Sequence, residues 1–279
     1  MKYDLHTHSY ASDGLLSPVG LLDAAVAAGL GGVALTDHDT VEGLAAAQAH
    51  CRDAALPIAF IPGIELNTEY KGEEVHILGY YIDYEDAALA QRLSELRALR
   101  RRRAEQIVDK LRSLGQDIDM AEVLAVARGE QIGRPHIARV LMAHGAVASV
   151  LEAFQRYIGR GRPAYVPRYE FAPSEAVAMI KKAGGLPVLA HPGLIRRQEL
   201  LDEIIALGVE GLECHYPQHS EKQTLKYRET ARRYGLLVTG GSDFHGAGSG
   251  NMRETLGLST IDEAEMKNIE NRLAKRRKI

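Results

Sequence analysis

Histidines and carboxylates recur in this chain beside or at the ends of short apolar runs, from the first ten residues to the last forty. Asp4-Leu5-His6-Thr7-His8 and Ser12-Asp13-Gly14 open the series. Thr36-Asp37-His38-Asp39, Gly63-Ile64-Glu65, Val75-His76, Ala190-His191-Pro192 and Gly241-Ser242-Asp243-Phe244-His245 continue it. Groups more than 230 positions apart meet only if the strands that carry them surround a common axis. A β/α barrel does this, and it carries its reactive groups at the C-terminal ends of its strands. His6, His8, His38, Glu65, His191, Asp243 and His245 each fall just after a strand-like run, whereas His76 lies inside one.

The alternation expected of such a barrel is present at both ends of the chain. Lys2 to Leu5, Gly32 to Thr36, Ile58 to Ile61 and Glu74 to Ile82 read as strands. The first helix starts with Ser17 as N-cap and Pro18 at its first position, and Gly29 stops it. Val41 to Ala54 reads as the second. Alternation returns after Ala164, with helices over Ser174 to Ala183, Gln198 to Leu207 and Lys222 to Tyr234. Strands are expected at Leu186 to Ala190, Val209 to Cys214 and Leu236 to Thr239, and a helical tail from Asp262. Asp86 to Gly159 contains no convincing strand; Leu93, Leu96, Leu99, Ile107, Leu111 and Leu114 recur at helical spacing. We therefore expect a barrel built from residues 1–85 and 160–279, with residues 86–159 as a helical insertion, or lid, over its mouth.

A length of 279 residues with 46% hydrophobic content suffices for a full core. Net charge is −3 and the pI about 6.4, which does not suit a duplex nucleic-acid surface. Cys51 and Cys214 stand alone and far apart, so they imply neither a disulfide framework nor a thiolate metal motif. The N-terminus runs straight into a strand without a signal peptide, and the apolar stretch Leu21 to Leu35 is too short and too interrupted to span a bilayer. A cytoplasmic protein without a membrane partner is expected.

Imidazole and carboxylate together suit divalent transition ions. Nine such side chains are too many for one ion, so the pattern points to a multinuclear centre, and hydrolysis is the usual chemistry of such centres. Glycines flank the motifs at Gly14, Gly63, Gly240, Gly241 and Gly246, where they permit close backbone approach. Asp37 suits an acceptor that orients a ligand histidine. Asp39 suits either that role or a helix cap. His215 follows a strand and suits either the pocket or packing; His50, His144 and His219 carry no motif and read as surface or packing residues.

Taken together these motifs, with Val75-His76-Ile77-Leu78-Gly79-Tyr80 and Leu189-Ala190-His191-Pro192-Gly193, resemble those of the PHP (polymerase and histidinol phosphatase) phosphoesterases over essentially the whole chain. The resemblance implies a distorted seven-stranded β/α, TIM-like barrel with two or three divalent ions, manganese first, iron or zinc as alternatives. It implies one ion held by His6, His8, Glu65 and Asp243, a second by Glu65, His76 and His191, and a third by Asp13, His38 and His245. The nucleophile then expected is a metal-bound hydroxide held by Glu65, Asp243 and His191.

The insertion carries Arg100-Arg101-Arg102-Arg103 and Gly133-Arg134-Pro135-His136. Arg103 falls on the stripe defined by Leu96, Leu99 and Ile107, where a guanidinium needs a partner such as a substrate phosphate. Arg102 suits an assisting role. Arg134, fixed between glycine and proline, suits either a phosphate or a salt bridge in the lid. Arg134-Pro135-His136 and the Leu78–Asp83 segment resemble a subgroup that acts on nucleoside 3′,5′-bisphosphates and short 5′-phosphorylated oligonucleotides. The expected activity is therefore hydrolysis of the 3′-phosphate of a small nucleotide. Histidinol phosphate hydrolysis, amidohydrolase-type deamination and non-catalytic metal binding stand as rivals, though no bridging lysine of the amidohydrolase kind is found.

Overall fold

The computed structural model describes residues 1–127, 131–167, 169–247 and 253–276. One eight-stranded sheet curls into a nearly closed barrel, with strand order β7-β6-β5-β4-β3-β2-β1-β8. The strands are β1 (Lys2–Thr7), β2 (Gly32–Leu35), β3 (Ala59–Tyr70), β4 (Glu73–Tyr80), β5 (Leu186–Leu189), β6 (Gly211–His215), β7 (Leu237–Gly240) and β8 (Ile261–Asp262). The helices α1 (Pro18–Ala27), α2 (Leu44–Asp53), α7 (Pro173–Lys182), α8 (Leu201–Ala206), α9 (Glu221–Tyr234) and α10 (Glu263–Arg276) belong to the barrel portion. The eighth strand, one more than expected, is a two-residue segment antiparallel to β1. Such a short segment carries no period-2 signal, so it was invisible in the sequence.

Two further departures matter for the site. The sequence suggested a four-residue strand ending at Ile61, but β3 runs on for 12 residues to Tyr70. It pairs with β2 in parallel over Ala59–Pro62, and with β4 antiparallel over Gly63–Tyr70. Pro62-Gly63 is the point where β3 changes partner. The tight turn to β4 has Lys71 and Gly72 both at positive φ, the pattern of a two-residue hairpin. Consequently Glu65 lies within a strand rather than beyond one, and His6 likewise lies within β1.

Local chemistry explains the helix ends. The Ser17 hydroxyl accepts from the Gly20 N–H ahead of Pro18, and Ser220 with Gln223 forms a reciprocal cap on α9, which Gly235 ends at φ 64°.

The stretch expected to form the insertion contains α3 (Ala87–Ser113), α4 (Met120–Ala127), α5 (Arg134–Ala143), α6 (Val150–Ala153) and a π-helical turn, Phe154–Ile158. Asp86 caps α3 by accepting from the Leu89 N–H. This 27-residue helix joins two cores. Its first half buries Leu89, Leu93 and Leu96 against the outer layer of the barrel. Its second half buries Ala104, Ile107, Val108 and Leu111 with Ile137 and Leu141 of α5 and with Val166 of the segment that follows the π-helical turn. At roughly 1.5–3 kcal/mol per buried leucine, the first anchor alone is substantial. Among the described residues no helix is long and apolar enough to cross a membrane.

The barrel closes where β1 meets the segment after β7. Thr7 bridges Phe244, and the His8 N–H donates to the Phe244 carbonyl at 2.9 Å. The buried Asp4 carboxylate accepts from the Ser242 N–H (2.9 Å), the Ser242 hydroxyl (2.6 Å) and the Gly257 N–H (2.8 Å). A Cβ on Gly241 would lie 2.3 Å from His6 Cβ and 2.4 Å from His6 N. Gly241→Ala is therefore expected to force the closure apart and destabilise the fold by about 3 kcal/mol. Urea unfolding tests this; a midpoint equal to wild type would show that the seam tolerates a methyl group.

Candidate metal centre

All nine side chains singled out as ligands gather at one end of the barrel, around Glu65. This carboxylate is fully buried in β3. Its Oε2 lies 3.2 Å from His6 Nε2, 3.3 Å from His8 Nε2 and 2.8 Å from His38 Nδ1. Its Oε1 lies 2.8 Å from His76 Nδ1 and 3.1 Å from His191 Nε2. Asp243 Oδ1 faces the same space, 3.5 Å from His6 Nε2 and 3.2 Å from His8 Nε2. Asp13 Oδ1 stands on the other side of His38, at 4.0 Å from His38 Nε2 and 3.2 Å from His245 Nε2.

Buried nitrogen and oxygen atoms normally have hydrogen-bond partners. Here His6 Nε2, His8 Nε2, His38 Nδ1, Glu65 Oε2, Asp243 Oδ1 and His245 Nε2 are buried and make none. Four of these atoms, from His6, His8, Glu65 and Asp243, form one metal-competent group. Their contacts of 3.2, 3.5, 3.3 and 3.2 Å match the about 3.4 Å that separates tetrahedral ligands placed about 2.1 Å from an ion. His8, Asp13, His38 and His245 form a second group, and His38, Glu65 and His76 a third. The donor set fits divalent cations.

Electrostatics point the same way. Burial works against a charged His8 or His76, but their carboxylate neighbours outweigh it and raise both to about 9. Burial likewise opposes ionisation of Glu65 and Asp243; the histidines around both, and Arg253 beside Asp243, nevertheless hold these carboxyls well below the usual range. His38, by contrast, is pushed down to about 4, chiefly by burial. The carboxylates thus demand positive charge, from protons or from cations.

Several supporting residues escaped the sequence reading. Glu213 in β6 approaches both His6 and His191. Tyr216 donates to Asp243 Oδ2 at 2.9 Å, and Arg253 Nε lies 2.9 Å from the same oxygen. Arg100 Nε donates to Asp39 at 2.7 Å, tying α3 to the loop that carries His38. Asp39 also accepts from the Asn67 N–H at 2.9 Å, and α2, the helix it precedes, has Gly43 as N-cap and no side-chain cap. A signal existed for two of these. Arg100 is four residues after Leu96, on the same stripe as Arg103, and Glu213 is a carboxylate set between Leu212 and Cys214 in a short strand. Nothing local marks Arg253 or Tyr216.

Other expectations are redirected. Asp37 orients no ligand histidine. It accepts from the Ser9 N–H (2.7 Å), the Ser9 hydroxyl (2.6 Å) and the Ser12 hydroxyl (2.6 Å), which holds the loop that presents Asp13. His215 turns away from the pocket, with Nε2 2.7 Å from Arg228 Nη1 and 3.7 Å from Glu265. His219 packs behind the His191 loop and accepts from the Gly193 N–H at 3.1 Å. His50 and His144 pair with Asp23 and Glu122.

A cavity of about 340 Å³ opens above the centre, between barrel and insertion. Asp13, His38, His76 and His191 form its floor; Arg100, Arg103, Arg134 and Arg253 line it, with Ala104, Ile107, Ile132, Phe154 and Leu194 as apolar wall. Arg103 Nε donates to the Val166 carbonyl at 3.0 Å. Arg134 lies over the Phe154 ring, 5.1 Å from its centroid, and 3.4 Å from Glu74. Arg102 is exposed on α3 and is not part of this lining.

The chain is 36% identical over 262 residues to a 3′,5′-nucleoside bisphosphate phosphatase from Chromobacterium violaceum, covering 88% of both. It is 33% identical over 248 residues to the 5′-3′ exoribonuclease Rnm of Escherichia coli, covering 87% of this chain and 85% of that one. A solved structure described as an amidohydrolase from Chromobacterium violaceum, with bound sulfate and no metal, superposes with a TM-score of 0.87 at 34% identity, covering 98% and 97% of the two chains. The PHP domain model matches residues 4–158, more than half of the sequence, and the chain belongs to the PHP domain family.

Proposed function

We propose that this protein is a metal-dependent phosphoesterase that removes the 3′-phosphate from nucleoside 3′,5′-bisphosphates. The observation that carries the proposal is the set of buried, unpartnered donor atoms beneath a cavity walled by arginines on some sides and apolar groups on others. His6, His8, Glu65 and Asp243 would hold one ion, Glu65, His76 and His191 a second, and Asp13, His38 and His245 a third. Two or three divalent ions bound there supply Lewis acidity, screening phosphate oxygens and making water nucleophilic near neutral pH. Manganese is the ion we assign, with iron and zinc as competitors for the same imidazole and carboxylate donors.

The chain's own residues do the rest. Glu65 and Asp243 set negative charge between the imidazoles. Tyr216 and Arg253 keep Asp243 turned toward the centre by binding its other oxygen. The lining arginines Arg103 and Arg134 grip a second phosphate away from the reacting one, where bidentate donors suit it. Ile107, Ile132 and Phe154 offer a dry wall to a nucleobase. The names of the relatives support a nucleotide substrate, and the bound sulfate of the neighbour is a tetrahedral dianion of phosphate shape. No lysine lines the cavity among the described residues, which disfavours the amidohydrolase reading.

One relative is a nucleoside bisphosphate phosphatase and another an exoribonuclease, so short 5′-phosphorylated RNA is the second reading. The test is phosphate release from adenosine 3′,5′-bisphosphate, a short 5′-phosphorylated RNA and histidinol phosphate, using chelated protein with and without added manganese. Activity restored by manganese and highest on the bisphosphate is expected. Equal activity without metal, or preference for histidinol phosphate, would overturn the assignment.

A further inference from the structure

We infer that Glu213 is a positioning residue that fixes two metal-ligating histidines at once, His6 and His191, and so links two of the proposed ion sites. The inference rests on the metal-centre reading above. Glu213 is fully buried in β6, outside the nine-ligand set. Its Oε1 lies 2.9 Å from His6 Nδ1, and its Oε2 accepts from the His191 backbone N–H at 2.7 Å. His6 comes from β1 and His191 follows β5, so a single carboxylate joins groups 185 positions apart in the chain (191 − 6).

The two bonds do different work. At His6, a carboxylate on Nδ1 keeps the ring proton there and leaves the Nε2 lone pair for the space shared with Glu65 and Asp243. Histidine ligands are commonly oriented in this way by a carboxylate on the far nitrogen. At His191 the bond grips the backbone. This residue has φ 26° and ψ 61°, in the left-handed region that side chains with a Cβ rarely adopt, and that turn aims Nε2 at Glu65 Oε1. One anchored end therefore serves the His6–His8–Glu65–Asp243 site, the other the Glu65–His76–His191 site.

Glu213→Gln keeps the shape and cannot keep both bonds, because an amide offers one acceptor and one donor. With its NH₂ toward His6, the ring moves its proton to Nε2, where the ion would bind. With its NH₂ toward His191, two N–H groups face each other and the turn loosens. We expect full-length Glu213→Gln, stripped with chelator, to melt close to the stripped wild type yet bind Mn²⁺ about 10–100-fold more weakly by calorimetric titration. Unchanged Mn²⁺ affinity overturns the inference, whatever happens to stability. If the variant does not fold, ¹⁵N-histidine spectra of zinc-loaded wild type decide: a proton on His6 Nδ1 supports the inference, and one on Nε2 overturns it. Wild type that takes up neither ion overturns the metal reading itself, and the inference with it; wild type that binds while the variant binds equally well overturns the inference alone.

Discussion

Glu65→Gln is expected to lower manganese-dependent phosphate release by about 10³-fold or more, in a protein that still folds. The two Glu65 oxygens between them face five imidazoles at 2.8 to 3.3 Å, so no other side chain is common to so much of the centre. Glutamine preserves volume and removes both the charge and one of the two oxygen donors. Its NH₂ does not coordinate a cation, and whichever way the amide turns, the imidazoles on one side of the centre lose the oxygen that faces them. Metal assistance is worth several kcal/mol in phosphoryl chemistry, and about 4 kcal/mol is a factor of 10³. The check is turnover together with metal content by mass spectrometry, with circular dichroism as the control for folding. A variant that retains both metal content and turnover would show that Glu65 bridges nothing.

Removing the cavity arginines should separate substrate recognition from chemistry. Arg103→Ala and Arg134→Ala are each expected to cut kcat/KM for adenosine 3′,5′-bisphosphate by about 10–100-fold, since a charge-assisted hydrogen bond contributes roughly 1.5–3 kcal/mol. A 3′-monophosphate, which lacks the second phosphate, should lose far less. Arg102→Ala serves as the comparison: its side chain is exposed and off the cavity wall, so little change is expected. Both arginines already have protein contacts, Arg103 with the Val166 carbonyl and Arg134 with Phe154 and Glu74. Melting temperatures must therefore accompany the kinetics. Equal losses on both substrates, or a larger loss for Arg102→Ala, would place the second phosphate elsewhere.

Helix positions, the helical character of the insertion and the identity of the clustered histidines and carboxylates were legible in the chain, because each leaves a local mark. Ser17-Pro18 announces a helix start whatever the helix later touches, and a metal-ligand type in an apolar context stands out at any distance from its partners. Other features have no local mark. The run of β3 through Pro62-Gly63 depends on two different neighbours, β2 and β4, so the strand is defined by pairing rather than by its own period. Asp37 looks like a histidine's partner from its place beside His38, yet the fold brings Ser9 and Ser12 to it first.

What the sequence alone determined was the supply of chemistry: which donors exist, and that strands must bring them to one axis. Only the tertiary structure decided how they are used. Glu65 became central because β3 continues past its first partner, Arg102 was excluded while Arg100 was admitted by the rotation of one helix, and Glu213, Tyr216 and Arg253 found their roles through contacts across the barrel. The physical reason is range. Capping, turn chemistry and side-chain type act over a few residues, whereas hydrogen bonds between β1, β6 and the segment after β7 join residues more than 200 positions apart, and such contacts exist only once the barrel has closed.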